Sequence, residues 1–247
     1  MNLRVDLNAD LGEGAGHDDE LFGLITSANI ACGFHAGDAE SMRKAIDAAQ
    51  AHGVAVGAHP SLFDRENFGR KELPVSGDDV YEGVKYQLGV FAAIADAAGV
   101  KPNHVKAHGA LYNMAARDRR LADGIARAIA DFDSTFVMFV LPNSELAAAA
   151  ETHGLRVARE VFADRNYMAD GSLVPRSRQD ALLHNADEAA TRVLRMLREG
   201  VVCSVDGTDV PLAVDTICVH GDTPDAVAFA RSLRNALENA AVTLTAP

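Results

Sequence analysis

Seven short, β-prone runs punctuate the chain, at residues 3–8, 27–32, 54–58, 104–107, 136–141, 156–161 and 215–219. Between them lie segments whose apolar residues recur at helical spacing, at 39–52, 77–98, 119–130, 144–152, 187–198 and 224–239. Strand and helix in alternation is the pattern of a parallel sheet covered by helices. With seven strands and no linker, it predicts an α/β fold: an irregular seven-stranded (β/α) barrel, with an open doubly wound sheet as the alternative. Residues 1–247 read as a single barrel domain, a length such barrels reach. One segment breaks the rhythm. Two β-prone runs flank Asp206-Gly207, a good hairpin turn, so residues 201–214 read as a hairpin insertion before the last strand. The Pro- and Gly-bearing stretch 58–74 is too long for a tight connection, and loops of that length are often functional.

The net charge of -12 argues against a nucleic acid partner, which would need a basic footprint. Cys32, Cys203 and Cys218 form no C-x-x-C pair and suggest reduced thiols. The start of the chain lacks a basic stretch followed by an apolar one, and the longest apolar run (FVMFVL, 136–141) is too short to span a bilayer. These features predict a cytoplasmic protein with no membrane partner.

Four β-prone runs end in a histidine with glycine or proline close behind: IACGFHAGD with His35, VAVGAHPS with His59, HVKAHGALYN with His108 and TICVHGDTP with His220. The carboxyl ends of parallel strands meet at one face, where sites are built. Four imidazoles are therefore expected at one cleft. A single such histidine is ordinarily structural, and His17, His52, His104, His153 and His184, which lack this repeated placement, are read that way. In the first strand Asp6, Asn8 and Asp10 alternate with apolar residues. Inside a barrel they would form an inward polar row, costly unless it binds something. Gly12, Gly14 and Gly16 then make a flexible turn around Glu13, but no G-x-x-x-x-G-K-[ST] phosphate loop exists in the sequence.

Lys106 projects on the same side as His108. Asp10, Glu13, His35, His59, Lys106, His108 and His220 are thus the catalytic candidates. Asn8, Arg70, Asp164, Arg165, Tyr167 and Arg176 are candidates for holding an anionic substrate, since guanidinium matches a carboxylate or phosphate in two-point geometry. Asp10, His35, His59 and His220 are also ligand types suited to a divalent metal.

Together the motifs DLNADLGEG (6–14), SANIACGFHAGD (27–38), VGAHPS (56–61), KAHGALYN (106–113), FADRNYMADGSLVPR (162–176) and CVHGDTP (218–224) resemble the LamB/YcsF family. The resemblance covers nearly the whole chain. Ala107 stands where that family usually has proline, and Asn67 where it usually has glycine. The resemblance implies a barrel of the glycoside hydrolase/deacetylase type. It also implies the A component of an ATP-dependent 5-oxoprolinase, opening 5-oxo-L-proline to L-glutamate with partner subunits B and C. Two readings compete with it: a metal-dependent amide or ester hydrolase, and a non-catalytic lactam-binding subunit.

Overall fold

The computed structural model describes residues 3–219 and 226–247. Its first six strands are β1 (Arg4–Leu11), β2 (Ser27–Ala31), β3 (Ala55–His59), β4 (His104–Lys106), β5 (Val137–Val140) and β6 (Arg156–Phe162). They pair in parallel in chain order. β9 (Thr216–Val219) then pairs in parallel with both β6 and β1 and closes the ring. The result is the expected seven-stranded parallel barrel. β7 (Val201–Cys203) and β8 (Asp209–Pro211) form a separate antiparallel ribbon, and β10 (Thr243–Leu244) extends β1 on the outside.

The helices are α1 (Asp18–Phe22), α2 (Ala39–His52), α3 (Gly77–Ala97), α4 (Gly109–Ala115), α5 (Arg119–Asp133), α6 (Glu145–Thr152), α7 (Ala186–Glu199) and α8 (Ala226–Asn239). Local chemistry sets several boundaries. Asp38 and Ser76 cap α2 and α3 in reciprocal capping boxes with Ser41 and Asp79. Left-handed glycines at 53 and 200 end α2 and α7. The cap expected at Thr223 and Pro224 lies outside the described residues. α1, α4 and β10 were not anticipated, because elements of five, seven and two residues carry too few repeats to show a period. β1 continues to Leu11, three residues beyond its expected end.

Alternation along β1 divides the molecule in two. Leu7, Ala9 and Leu11 are fully buried in the main apolar cluster, which also holds Ile46 and Ala49 of α2. Asp6 and Asn8 face the barrel interior, where they are 1% and 0% exposed. Burying so many polar groups is tolerable only if they pair. At the lower end Asp6 accepts hydrogen bonds from the hydroxyls of Thr26, Ser27 and Thr216. Burial raises its pKa, and those hydroxyls oppose the shift. In the middle Asn29 donates to Asn8 at 2.7 Å and to Asp10 at 2.9 Å. His104 donates its Nε2 hydrogen to Asn29 Oδ1 at 2.9 Å and stacks on Phe139 with ring centroids 4.2 Å apart. Burial holds His104 down at about 3, so the ring is neutral.

This interior leaves no room beside His104. A Cβ added at Gly57 would collide with its ring. Gly57→Ala should therefore destabilise the fold by about 1–3 kcal/mol through overpacking. Gly89→Ala, on an exposed and open face of α3, should stabilise it by about 0.5–1 kcal/mol. Urea unfolding of the two variants checks both signs.

Candidate active site

The upper end of the barrel gathers most of the chemistry read from the sequence. A cavity of about 770 Å³ opens there. Its floor is Asp10, Glu13, His59, Lys106 and His108, and Arg70, Arg117, Arg165 and Arg176 stand on its walls. The floor is thus acidic and histidine-rich, with arginines above it.

Lys106 occupies the centre. Its ammonium lies 2.9 Å from Asp10 Oδ1, 2.8 Å from Glu160 Oε1, 3.3 Å from Asn8 Oδ1 and 3.1 Å from Cys218 Sγ. Burial alone would pull its pKa down, but Asp10, Cys218 and Glu160 outweigh burial and hold it well above the ordinary lysine value. Lys106 is a fixed cation here, not a base.

Glu13 sits on the turn after β1 and is 6% exposed. His35 follows β2, His59 ends β3, and His108 precedes α4. His35 and His108 stack face to face at 3.8 Å, and His59 stands edge-on to both. The loop between β3 and α3 closes over this cluster. Arg65 ties the loop to the backbone carbonyls of Gly33 and Gly37 at 2.7 Å each. Phe68 adopts a positive φ of 55°, a conformation that costs a non-glycine residue about 1–3 kcal/mol. That conformation aims its carbonyl at His108. The neighbouring Gly69 (φ 64°) has no space for a side chain: a Cβ would lie 2.8 Å from His35 Cβ and 2.9 Å from His108 Cδ2. Asn67 needs no positive φ, and its amide pins Asp64 at 2.7 Å.

Backbone carbonyls fix the hydrogens on two of the rings. His59 Nδ1 is 2.7 Å from the Lys106 carbonyl, and His108 Nε2 is 2.9 Å from the Phe68 carbonyl. A carbonyl only accepts, so both nitrogens carry hydrogen. The remaining two nitrogens, His59 Nε2 and His108 Nδ1, face each other at 3.0 Å. If both rings were neutral, two lone pairs would collide there. Burial lowers His59, but Asp10 reverses the effect and leaves its pKa raised. Burial, then His59 and His35, hold His108 well below its usual value. Without a metal, the proton in the gap therefore belongs to His59. Burial, reinforced by His59, lowers His35 to about 3.

Seven of the residues singled out in the sequence thus meet: Asn8, Asp10, Glu13, His35, His59, Lys106 and His108. Arg70, Arg165 and Arg176 line the cavity. Arg165 is itself buried, donates to the Val174 carbonyl at 2.6 Å, and is pushed down to about 10 by burial and by Arg176. Asp164 and Tyr167 are not on the cavity wall. Tyr167 is 1% exposed, and its hydroxyl accepts the Phe162 N–H at 2.8 Å, so it fastens the end of β6. His220 lies outside the described residues. Among those residues, the donors that could share a metal ion are Glu13, His35, His59 and His108. Asp10, also expected there, places Oδ2 3.4 Å from His59 Nε2 while its Oδ1 accepts from Lys106 and Asn29. Sequence reasoning missed Asn29 and Glu160. Both occupy alternate positions of their strands, like Asp6 and Asn8, and the same alternation argument would have found them.

Removing the central cation should be severe, because it strands two carboxylates. Lys106→Met should cost about 3–5 kcal/mol at neutral pH. Adding Glu160→Gln should recover part of the loss. Urea unfolding of the single and double variants measures both effects.

The LamB/YcsF family model matches residues 5–247. The A subunit of 5-oxoprolinase from Bordetella pertussis (strain Tohama I) is 51% identical over 251 residues, covering 100% of each chain, and that of Bordetella parapertussis matches equally. The lactam utilization protein from Thermus thermophilus superposes with a TM-score of 0.93 at 46% identity, covering 99% of this chain and 100% of that one. A T48 deacetylase, 17% identical with a TM-score of 0.52 and coverage of 99% and 88%, shares the fold alone. With its motifs, barrel and full-length matches in agreement, this chain belongs to the LamB/YcsF family.

Proposed function

We propose that this chain is the A subunit of an ATP-dependent 5-oxoprolinase and hydrolyses 5-oxo-L-proline to L-glutamate with subunits B and C in the cytoplasm. The observation that carries the reading is the cavity: a fixed ammonium and a carboxylate on its floor, with arginines on its walls, in a chain 51% identical to proteins named for that activity. Among the described residues, no helix is long and apolar enough to cross a membrane.

A five-membered lactam is a stabilised amide, which is the reason to couple its opening to ATP. In the proposed sequence, the lactam oxygen attacks the γ-phosphorus of ATP and ADP leaves. Water adds to the activated ring carbon, and Asp10 takes its proton. The C–N bond breaks as Asp10 returns that proton to the ring nitrogen; the adduct's hydroxyl gives its own proton to solvent as the C=O bond re-forms, leaving a γ-acyl phosphate and the free amine. A second water releases phosphate and glutamate. Lys106 stabilises negative charge developing on the carbonyl side. Arg70 and Arg176 bind the substrate's carboxylate. Glu13, His35, His59 and His108 border the position of the attacking water. The sequence lacks a phosphate loop, so a partner supplies at least part of the nucleotide site.

Asp10→Asn in the assembled A, B and C subunits should lower kcat by about 10²–10⁴-fold, as for other positioned acid–base groups. Arg176→Ala should chiefly raise KM for 5-oxoproline. Glutamate release under saturating ATP measures both. Turnover by Asp10→Asn close to wild type refutes the assignment.

A further inference from the structure

We propose that Glu13, His59 and His108, with His35 as a fourth donor, form a binding site for a divalent transition-metal ion on the floor of the cavity. The first argument is the confrontation between His59 Nε2 and His108 Nδ1, 3.0 Å apart. Each ring's other nitrogen gives its hydrogen to a backbone carbonyl, so with both rings neutral both inward nitrogens turn lone pairs into one gap. Either a proton on His59 or a metal ion resolves that clash, and the further donors gathered around the gap favour the ion. The arrangement is also the one that orients imidazoles for metal binding, the far nitrogen being fixed by a carbonyl and the near one left bare.

The second argument is distance. Glu13 Oε1 lies 2.9 Å from His35 Nε2, 3.4 Å from His108 Nδ1 and 3.9 Å from His59 Nε2. All four donor atoms lie within 4.8 Å of one another. A tetrahedral ion with bonds of about 2.1 Å separates its ligands by about 3.4 Å, which falls inside the observed spread. The third argument is charge. Asp10, Glu13 and Glu160 bring three carboxylates to this region, and Lys106 is their buried ammonium. A divalent cation offsets the excess. Imidazole and carboxylate donors favour an ion such as Zn2+ over Mg2+ or Ca2+, which prefer all-oxygen shells. His35 ranks last, because its Nδ1 is buried without a hydrogen-bond partner among the described residues. An ion held here would face the cavity beside Asp10, where it could polarise a water or a carbonyl oxygen.

The test needs no lactam, nucleotide or partner subunit, so its outcome is separate from the fate of the proposed activity. Chain stripped with EDTA is titrated with Co2+ and followed by its visible absorption. One equivalent should bind and be displaced by Zn2+. His59→Gln and His108→Gln should each weaken binding by more than about 100-fold, beyond the loss typical of an outer-shell change. His35→Gln should weaken it less, and His52→Gln, on the far end of α2, should leave it unchanged. Circular dichroism confirms that each variant is folded. Independently, one equivalent of Zn2+ added to the wild-type chain should shift the ring-nitrogen resonances of His59 and His108 and leave His104 unmoved. Absence of saturable Co2+ binding by the wild-type chain, or unmoved His59 and His108 resonances, overturns the proposal.

Discussion

The buried ammonium of Lys106 is the interaction on which the rest of this structure depends. A barrel closed by β1 and β9 has an interior that must be filled, and this one is filled mainly by polar groups. Asn8, Asn29 and His104 are hydrogen-bonded in series, Thr216 links Asn8 to Asp6 below, and the chain of hydrogen bonds ends at Asp10 and Glu160. Without a cation, those carboxylates would oppose barrel closure. With it, these side chains orient one another through hydrogen bonds and ion pairs. The apolar trio Val137, Phe139 and Ala158 fills part of the β5–β6 side, and Glu160 brings β6 into the polar network beside it.

Much of this was readable from the chain because barrel strands repeat a simple rule. Asp6, Asn8 and Asp10 announced an inward polar row by alternation alone, and the recurrence of histidines at strand ends announced a shared rim. What the sequence could not supply was pairing across distance. Lys106 and Glu160 lie on β4 and β6, and only barrel closure brings them within 2.8 Å. Tyr167 shows the opposite limit. A tyrosine among arginines and aspartates on a polar loop reads as a binding residue, yet the chain folds it inward to hold the Phe162 amide.

The site joins two contrasting electrostatic surroundings. Its floor concentrates carboxylates around one lysine, whereas its walls carry Arg70, Arg117, Arg165 and Arg176. A small anionic molecule would be attracted by the walls and turned so that its neutral, reactive end meets the floor.

The strained carbonyl of Phe68 has a consequence for how this chemistry can be timed. It holds the hydrogen on Nε2 of His108, although it belongs to a segment 40 residues upstream. Lifting that segment would release the ring to tautomerise and turn a donor, not a lone pair, toward His59. One backbone carbonyl of the loop thus links the path of the main chain to the hydrogen pattern of the imidazole pair.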